Sequence, residues 1–439
     1  MATRAASYAA YFRILRENQN FRRLWFAQIV SEQGDWLYAV AVYSLLLEYT
    51  GSAKAVSLAF VFQVLPQFFV SPAVGVINDR ISRKKVMIFA DWSRAVIVLC
   101  MLVVRAPQLV WLLYLLLLLE TVLWALFEPA RSAVIPNVVG ESDLIVANTL
   151  SSTTWSFNFA MGFAVGGAIA AYLGREAVFV FNSLSFVGSA ILIGKMRFNE
   201  PHAETMPPLT WKDFSNWKPI REGIQYVWKD PPLRNTIFVK AGQGLMGANW
   251  VLLPILGERI FPVHRSGFTA SQSGMLGMSL LMACRGIGAI IGPALSGYWA
   301  GGSTRRMRIG ILLGFLAGAA GYLMLGQASG LLLACSAIAL AHAGGATLWV
   351  FSSTILQLKT DDRFRGRVFS AEWAFSVLTM SGSNYAAGVM IDRRIAPAAV
   401  ATAVGFIVLI PAALWSVALL MWKERLTPSG CATGPRLTE

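Results

Sequence analysis

Two carboxylates, Glu32 and Asp35, stand three residues apart inside the first long apolar run of the chain. On a helix that spacing puts both near one face, on the order of 16–21 Å along the axis from Phe21. A charge at such depth in an apolar layer is costly and normally faces water, a partner or a substrate. Taking up and releasing a proton there is the chemistry of coupled transport. Asp35 is the better carrier, being deeper and preceded by Gly34, which would leave room for water. The competing reading is structural: a helix cap or an ion pair, should the helix begin later. Glu120, deep in the fourth apolar run, and Arg285, in the eighth, join the same coupling group. Arg285 could meet an anionic substrate group or one of the carboxylates, or be held in a fixed ion pair. Asp91 and Arg94, one turn apart, read as structural partners of the basic loop before them. His342 is a further ionisable group, weighed against a hydrogen-bonded packing role. Trp36, Trp124, Trp155, Trp250 and Phe351 are candidates to line an apolar cavity, against plain packing or lipid contact.

The elements that must hold these residues are membrane helices. The 439 residues are 56% hydrophobic and 14% charged, where an ordinary soluble domain carries about 25% charge. Apolar runs of roughly the length a bilayer demands cover Leu24–Tyr49, Ala55–Asn78, Val86–Val104, Leu109–Ala130, Leu144–Leu173 and Ala177–Met196. A second group covers Asn235–Ile260, Ser273–Ala300, Ile309–Gly326, Leu331–Leu358, Val368–Ile391 and Ala398–Trp422. The fold class expected is an all-α integral membrane protein of about twelve transmembrane helices in two six-helix bundles. Residues 1–23 form a basic lead-in, 24–196 the first bundle and 197–234 a polar linker. Residues 235–422 form the second bundle and 423–439 a tail. Within the linker, IREGIQYVWKD reads as an amphipathic helix lying on the membrane surface. The net charge of +14 is concentrated in short loops on one side, a positive-inside pattern rather than a nucleic-acid face, so both termini are expected in the cytoplasm. The polar, basic N-terminus does not read as a cleavable signal peptide. Cys100, Cys284 and Cys335 fall in apolar runs and no metal-ligand spacing occurs.

Between the second and third runs lies GVINDRISRKK, from Gly75 to Lys85. Its spacing, Gly75-x-x-x-Asp79-Arg80-x-x-Arg83-Lys84, resembles the loop between helices two and three of the major facilitator superfamily, with Ser82 where the family has Gly. The resemblance implies a gating role for Gly75, Asp79, Arg80, Arg83 and Lys84. The stretch Gly297 to Arg306 echoes that loop in the second half, with Gly301 at the acidic position, as a parallel repeat requires. FEPARSAVIPNVV (Phe127–Val139), Asp143-Leu144, Ala147-Asn148, Gln357, Asp361 and Arg365-Gly366-Arg367-Val368 resemble the bacterial efflux branch that includes the enterobactin exporter and macrolide-efflux proteins. Asp361, Arg365, Gly366 and Arg367 are read, with Asp91 and Arg94, as structural polar residues. Gly162 to Gly167 is similar to the antiporter motif of helix five, with Phe163 in place of Pro. Gly286, Gly288 and Gly292 offer a second close-packing surface.

The resemblance implies export of a small amphipathic molecule, driven by proton entry and carried out by alternating access. A lipid or lysophospholipid translocator is the alternative, and a non-transporting membrane sensor a third class. No nucleophile–base pair, metal ligand set or nucleotide loop points to an enzyme. No cofactor is expected beyond a proton gradient as energy source. The expected partners are a small-molecule substrate and the lipid bilayer of the cell's inner membrane, with the chain a monomer and no nucleic acid bound.

Overall fold

The computed structural model describes residues 8–140, 143–200, 218–301 and 303–421. The tail and most of the polar part of the linker lie outside the described residues, as do the side chains of Gly75, Asp79, Arg365 and Gly366. Every element described is helical. A short α1 (Tyr8–Glu17) precedes α2 (Gln19–Thr50), α3 (Ala53–Arg80), α4 (Arg83–Cys100), α5 (Val110–Val138), α6 (Leu144–Leu173) and α7 (Arg175–Gly194). After α8 (Lys218–Trp228), the seventh membrane segment is broken. It comprises α9 (Pro231–Ile237), α10 (Val239–Gly244), a 3-10 turn (Leu245–Ala248), α11 (Asn249–Ile255) and a π turn (Leu256–Ile260). Then come α12 (Ala270–Ala300), α13 (Thr304–Gly326), α14 (Leu331–Lys359), α15 (Asp362–Asp392) and α16 (Pro397–Met421).

Short polar residues set where these helices begin. The Asn18 side chain accepts from Phe21 N at 2.9 Å to start α2, Ser52 caps α3, and Thr269 with Gln272 makes a reciprocal capping box on α12. Ser82 and Ser303 cap α4 and α13, each accepting from the backbone N–H three residues on. The two loops that echo each other in sequence therefore share one turn chemistry, a serine cap on the helix that follows, shifted by one residue between the halves.

Among the described residues, nine helices are long and apolar enough to cross a membrane. The three remaining long segments pack in the same bundles but carry charge inside: α2 holds Glu32 and Asp35, the broken segment Lys240, and α15 Glu372. In the first bundle α2 packs on α6 and α7, and α5 on α3 and α4. In the second, α14 packs on α12 and α13, and α15 on α10.

The bundles meet where α6 lies on α12 and α3 on α15. Glycines make these seams tight. A Cβ on Gly167 would sit 1.6 Å from Ser279 Oγ, one on Gly286 2.7 Å from Ala160 Cβ, and one on Gly388 1.9 Å from Ser57 Oγ. At the end of the molecule away from α1, Asp392 binds the start of α3. It accepts from Ser52 Oγ at 2.5 Å, Ala53 N at 2.7 Å and Lys54 N at 3.2 Å. Arg259 donates to Gly51 O at 2.7 Å and Gln272 to Ala171 O at 2.7 Å on the same side. The amphipathic stretch of the linker does form a helix, α8. Ile224, Tyr226 and Val227 pack against Leu356, Val368 and Ala371 of the second bundle, so that face is spent on protein instead of lipid.

Candidate functional site

Arg94 is the centre of the first bundle. It lies eleven residues after Arg83, which along a helix is about 16 Å, too far in to serve the basic loop as its spacing suggested. Its side chain has no solvent exposure and meets Asp35 of α2 at 2.5 Å, Glu120 of α5 at 2.9 Å and Asp91 of α4 at 3.6 Å. The guanidinium also lies 4.0 Å from the centre of the Phe186 ring, a cation–π contact worth about 0.5–2 kcal/mol. One cation thus faces three carboxylates. Asp35 is 14% exposed, Glu120 6% and Asp91 0%, so Asp35 has the best access to water. Gly34 does not supply that access: a Cβ there would sit 2.2 Å from Asn182 Oδ1 and Ser185 Oγ, and its role is to bring α2 against α7.

Hydrogen bonds leave this cluster in a line. Tyr38 donates to Glu120 Oε2 at 3.3 Å, Gln63 Nε2 donates to Tyr38 at 3.2 Å, and Tyr43 donates to Gln63 Oε1 at 3.0 Å. Glu32 belongs to a separate group nearer the α1 end. Arg131 lies 3.8 Å from it and binds Glu128 at 2.5 Å. Gln28 bonds both Arg131 and Glu32 at 2.9 Å, and Asn158 donates to Glu32 at 3.2 Å. The spacing of Glu32 and Asp35 put them on one face of α2, yet each has its own arginine.

The second bundle is arranged differently. Lys240 and Glu372 form a buried pair at 2.8 Å, with the ammonium 4.2 Å from the centre of the Trp349 ring. Arg285 meets neither Asp35 nor Glu32, and no described acid lies within ion-pair distance of it. Its guanidinium carbon instead lies 4.3 Å from the Phe159 ring centre and 4.4 Å from that of Trp250. His342 Nε2 is buried without a hydrogen-bond partner in this structure. Trp36, Trp155 and Trp250 gather with Phe60, Phe159 and Phe163 at the middle of the seam. Phe351 packs over Gly310 instead, where a Cβ would meet its ring at 2.4 Å, and Trp124 makes none of these ring contacts.

In the signature loop Arg83 donates to Asn78 O and Ala133 O, both at 3.2 Å, and Lys84 Nζ to Met196 O at 2.7 Å. These contacts tie α4 to the ends of α3, α5 and α7 within the first bundle. Arg367 pairs with Glu222 at 2.7 Å, and the backbone N–H of Asp361 donates to Tyr226. Arg131, Lys240 and Glu372 were passed over in the sequence because Arg131 stands just past the run Leu109–Ala130 and the other two lie near the start of theirs; only packing places them in the interior.

The model of a family described as transmembrane secretion effectors matches residues 10–439. The chain belongs to that family, a branch of the major facilitator superfamily. The putative bacilysin exporter BacE of Bacillus amyloliquefaciens is 25% identical over 281 residues, covering 64% of this chain and 66% of that one. Macrolide efflux protein A of Streptococcus pyogenes is 30% identical over 179 residues, covering 40% and 44%. The chain thus spans less than two thirds of the length of either relative. The crystal structure of the nucleoside transporter NupG superposes with a TM-score of 0.70 at 10% identity, covering 92% of this chain and 99% of that one, which shows the fold. The protein is therefore a multi-pass membrane transporter of the major facilitator type with efflux proteins among its relatives.

Proposed function

We propose that this transporter exports a small amphipathic molecule in exchange for protons, by alternating access between its two bundles. The observation that supports this reading is the Arg94 cluster. Fully ionised, three carboxylates around one guanidinium leave an excess of two negative charges in apolar surroundings, a costly state that proton uptake relieves. Asp35 carries the coupling proton because it is the most exposed of the three. Glu120 shares the guanidinium, and Glu32, held by Arg131, tunes the neighbourhood. The signature loop, through Asp79, Arg80, Arg83 and Lys84, holds one access state. With the basic loops in the cytoplasm, both termini face the cytoplasm of the inner membrane, and the chain acts as a monomer without a cofactor.

The test is flux of a library of amphipathic compounds in proteoliposomes with imposed proton gradients. Gradient-driven movement of at least one water-soluble compound is expected. Gradient-independent movement of lipid would replace this reading with the lipid translocator, and no flux of either kind would sink both.

A further inference from the structure

We propose that the molecule exported carries an acidic group, and that Arg285 binds it at a site walled by aromatic rings from both bundles. The proposal rests on the transporter reading above and gives that site a substrate class. Arg285 lies near the middle of α12, within the span of the membrane. Its Nε is buried with no hydrogen-bond partner, and it makes no ion pair with a described residue. Arg285 as a whole is half-buried; among the described residues the fully buried cations have acids: Arg94 has three, Arg131 has two and Lys240 one. The two ring faces that flank Arg285 do not replace a counter-charge, since a cation–π contact recovers only part of what desolvation costs. What is missing is an anion, and a guanidinium fork suits a carboxylate with two parallel hydrogen bonds.

The walls indicate the remainder of the ligand. Phe159 comes from α6 of the first bundle and Trp250 from the broken segment of the second. Trp250 stacks on Phe60 at 4.8 Å and lies nearly parallel to Trp36 at 6.2 Å. In this closed arrangement Phe60, Phe159 and Trp250 are buried against one another, so a flat apolar body would enter between the rings as the halves part, with its acidic group turned to Arg285. Because the rings belong to both halves, the site comes apart when the halves separate. That is what a site emptied by alternating access has to do. Tyr43, the last member of the hydrogen-bonded line from Glu120, lies within electrostatic range of Arg285. The hydrogen-bonded line from the carboxylate cluster thus ends at Tyr43, on the side of the first bundle that faces Arg285's charge.

The experiment compares 1-naphthaleneacetate with 1-naphthaleneacetamide, which share a flat body and differ in charge. Binding is measured by equilibrium dialysis to the purified protein in phosphatidylcholine nanodiscs. The acid is expected to bind saturably and roughly tenfold or more tightly than the amide, as a hydrogen-bonded charge pair would give. Arg285→Lys keeps most of that preference. Arg285→Gln removes it and leaves the amide within about twofold of its affinity for the unaltered protein. Equal affinities for acid and amide, no saturable binding of the acid, or a preference that survives in Arg285→Gln each overturns the proposal. If Arg285→Gln does not fold, the acid–amide comparison on the unaltered protein and on Arg285→Lys decides it. Displacement of the acid by phosphatidylglycerol built into the nanodisc would assign the cation to anionic lipid and overturn the small-acid site. Flux in proteoliposomes separates the two readings. Binding of the acid without gradient-driven flux keeps the site and removes the exporter, whereas gradient-driven flux of the amide but not the acid does the reverse.

Discussion

The two bundles share a fold and a turn chemistry but divide their buried charge unequally. The first gathers three carboxylates on Arg94 and two more on Arg131. Among the described residues the second buries one balanced pair, Lys240 with Glu372, holds the half-buried Arg285 with no acid midway along α12, and keeps the half-buried Glu258 at its outer end. A structural repeat explains why the helices correspond; it does not explain this division. At the depth of the middle of the helices, a surplus of acid around Arg94 and a lone base at Arg285 separate the chemistry of the halves, the first suited to protons and the second to an anion.

The largest effect should come from breaking the balance in the first half. Arg94→Gln strands three buried carboxylates and is expected to cost about 3–5 kcal/mol, seen as a collapse in folded yield and thermal midpoint of the purified protein. Arg285→Gln should cost much less, about 0.5–2 kcal/mol for its ring contacts, because no buried acid loses its partner. If the two variants lose stability equally, the contrast between the halves is wrong.

Next comes the balanced pair. Lys240→Met alone leaves Glu372 buried without its cation and should lower stability by about 3 kcal/mol. Adding Glu372→Gln should recover most of that loss. A double variant as unstable as the single one would mean that the pair does more than balance itself.

Asp35→Asn has a smaller effect on the fold and a specific one on function. The amide can still hydrogen-bond to Arg94, but it cannot release a proton. Gradient-driven export should fall at least tenfold while downhill exchange of the same compound persists, measured side by side in proteoliposomes. Surviving gradient-driven export would move the coupling role to Glu120 or Glu32.

The mildest is Asp392→Ala. It deletes the acceptor for three groups at the start of α3 at an exposed position, so about 1 kcal/mol is at stake. That is roughly a fivefold shift toward conformers open at that end. Electron-spin distances between labels at Glu176 and Ile395 would report it, and an unchanged distribution would show that the contact does not hold the ends together.

Most of the helical layout was legible because apolar length is a one-dimensional signal. Each predicted run falls on an observed helix, Leu331–Leu358 against Leu331–Lys359 for instance, but charged first turns were missed, as at Asp362 against Val368, and α5 continues eight residues past Ala130 to Val138. The seventh segment read as one run, and its breaks into short helical turns did not show, although Pro254 lies within it; Gly244, Gly247 and Gly257 there sit close against Thr379, Met380 and Met278 of neighbouring helices, which one-dimensional apolar length does not record. The ionisable residues inside the membrane were also legible, by rarity. Their partners were not. Rotation about each helix axis and the offset between helices decide whether Asp35 meets Arg94 or Arg285, and spacing within one helix carries neither. The reading of Arg94 as a companion of the signature loop failed for that reason.

The glycines at the seams have a consequence for how this chain can change over generations. On α12, Gly286 faces Ala160 of the other bundle, while Gly288 and Gly292 press on Ala339 and Ala343 backbone within their own. Leu295 and Ile291 of the same helix are exposed on the outer surface of the protein. A single helix therefore carries both positions that accept nearly any apolar residue and positions that accept none but the smallest. In a saturation library, Gly167 and Gly286 should be as invariant as any ligand-binding residue without touching a ligand. An observer ranking positions by mutational tolerance alone would mistake the hinge surface for the binding site.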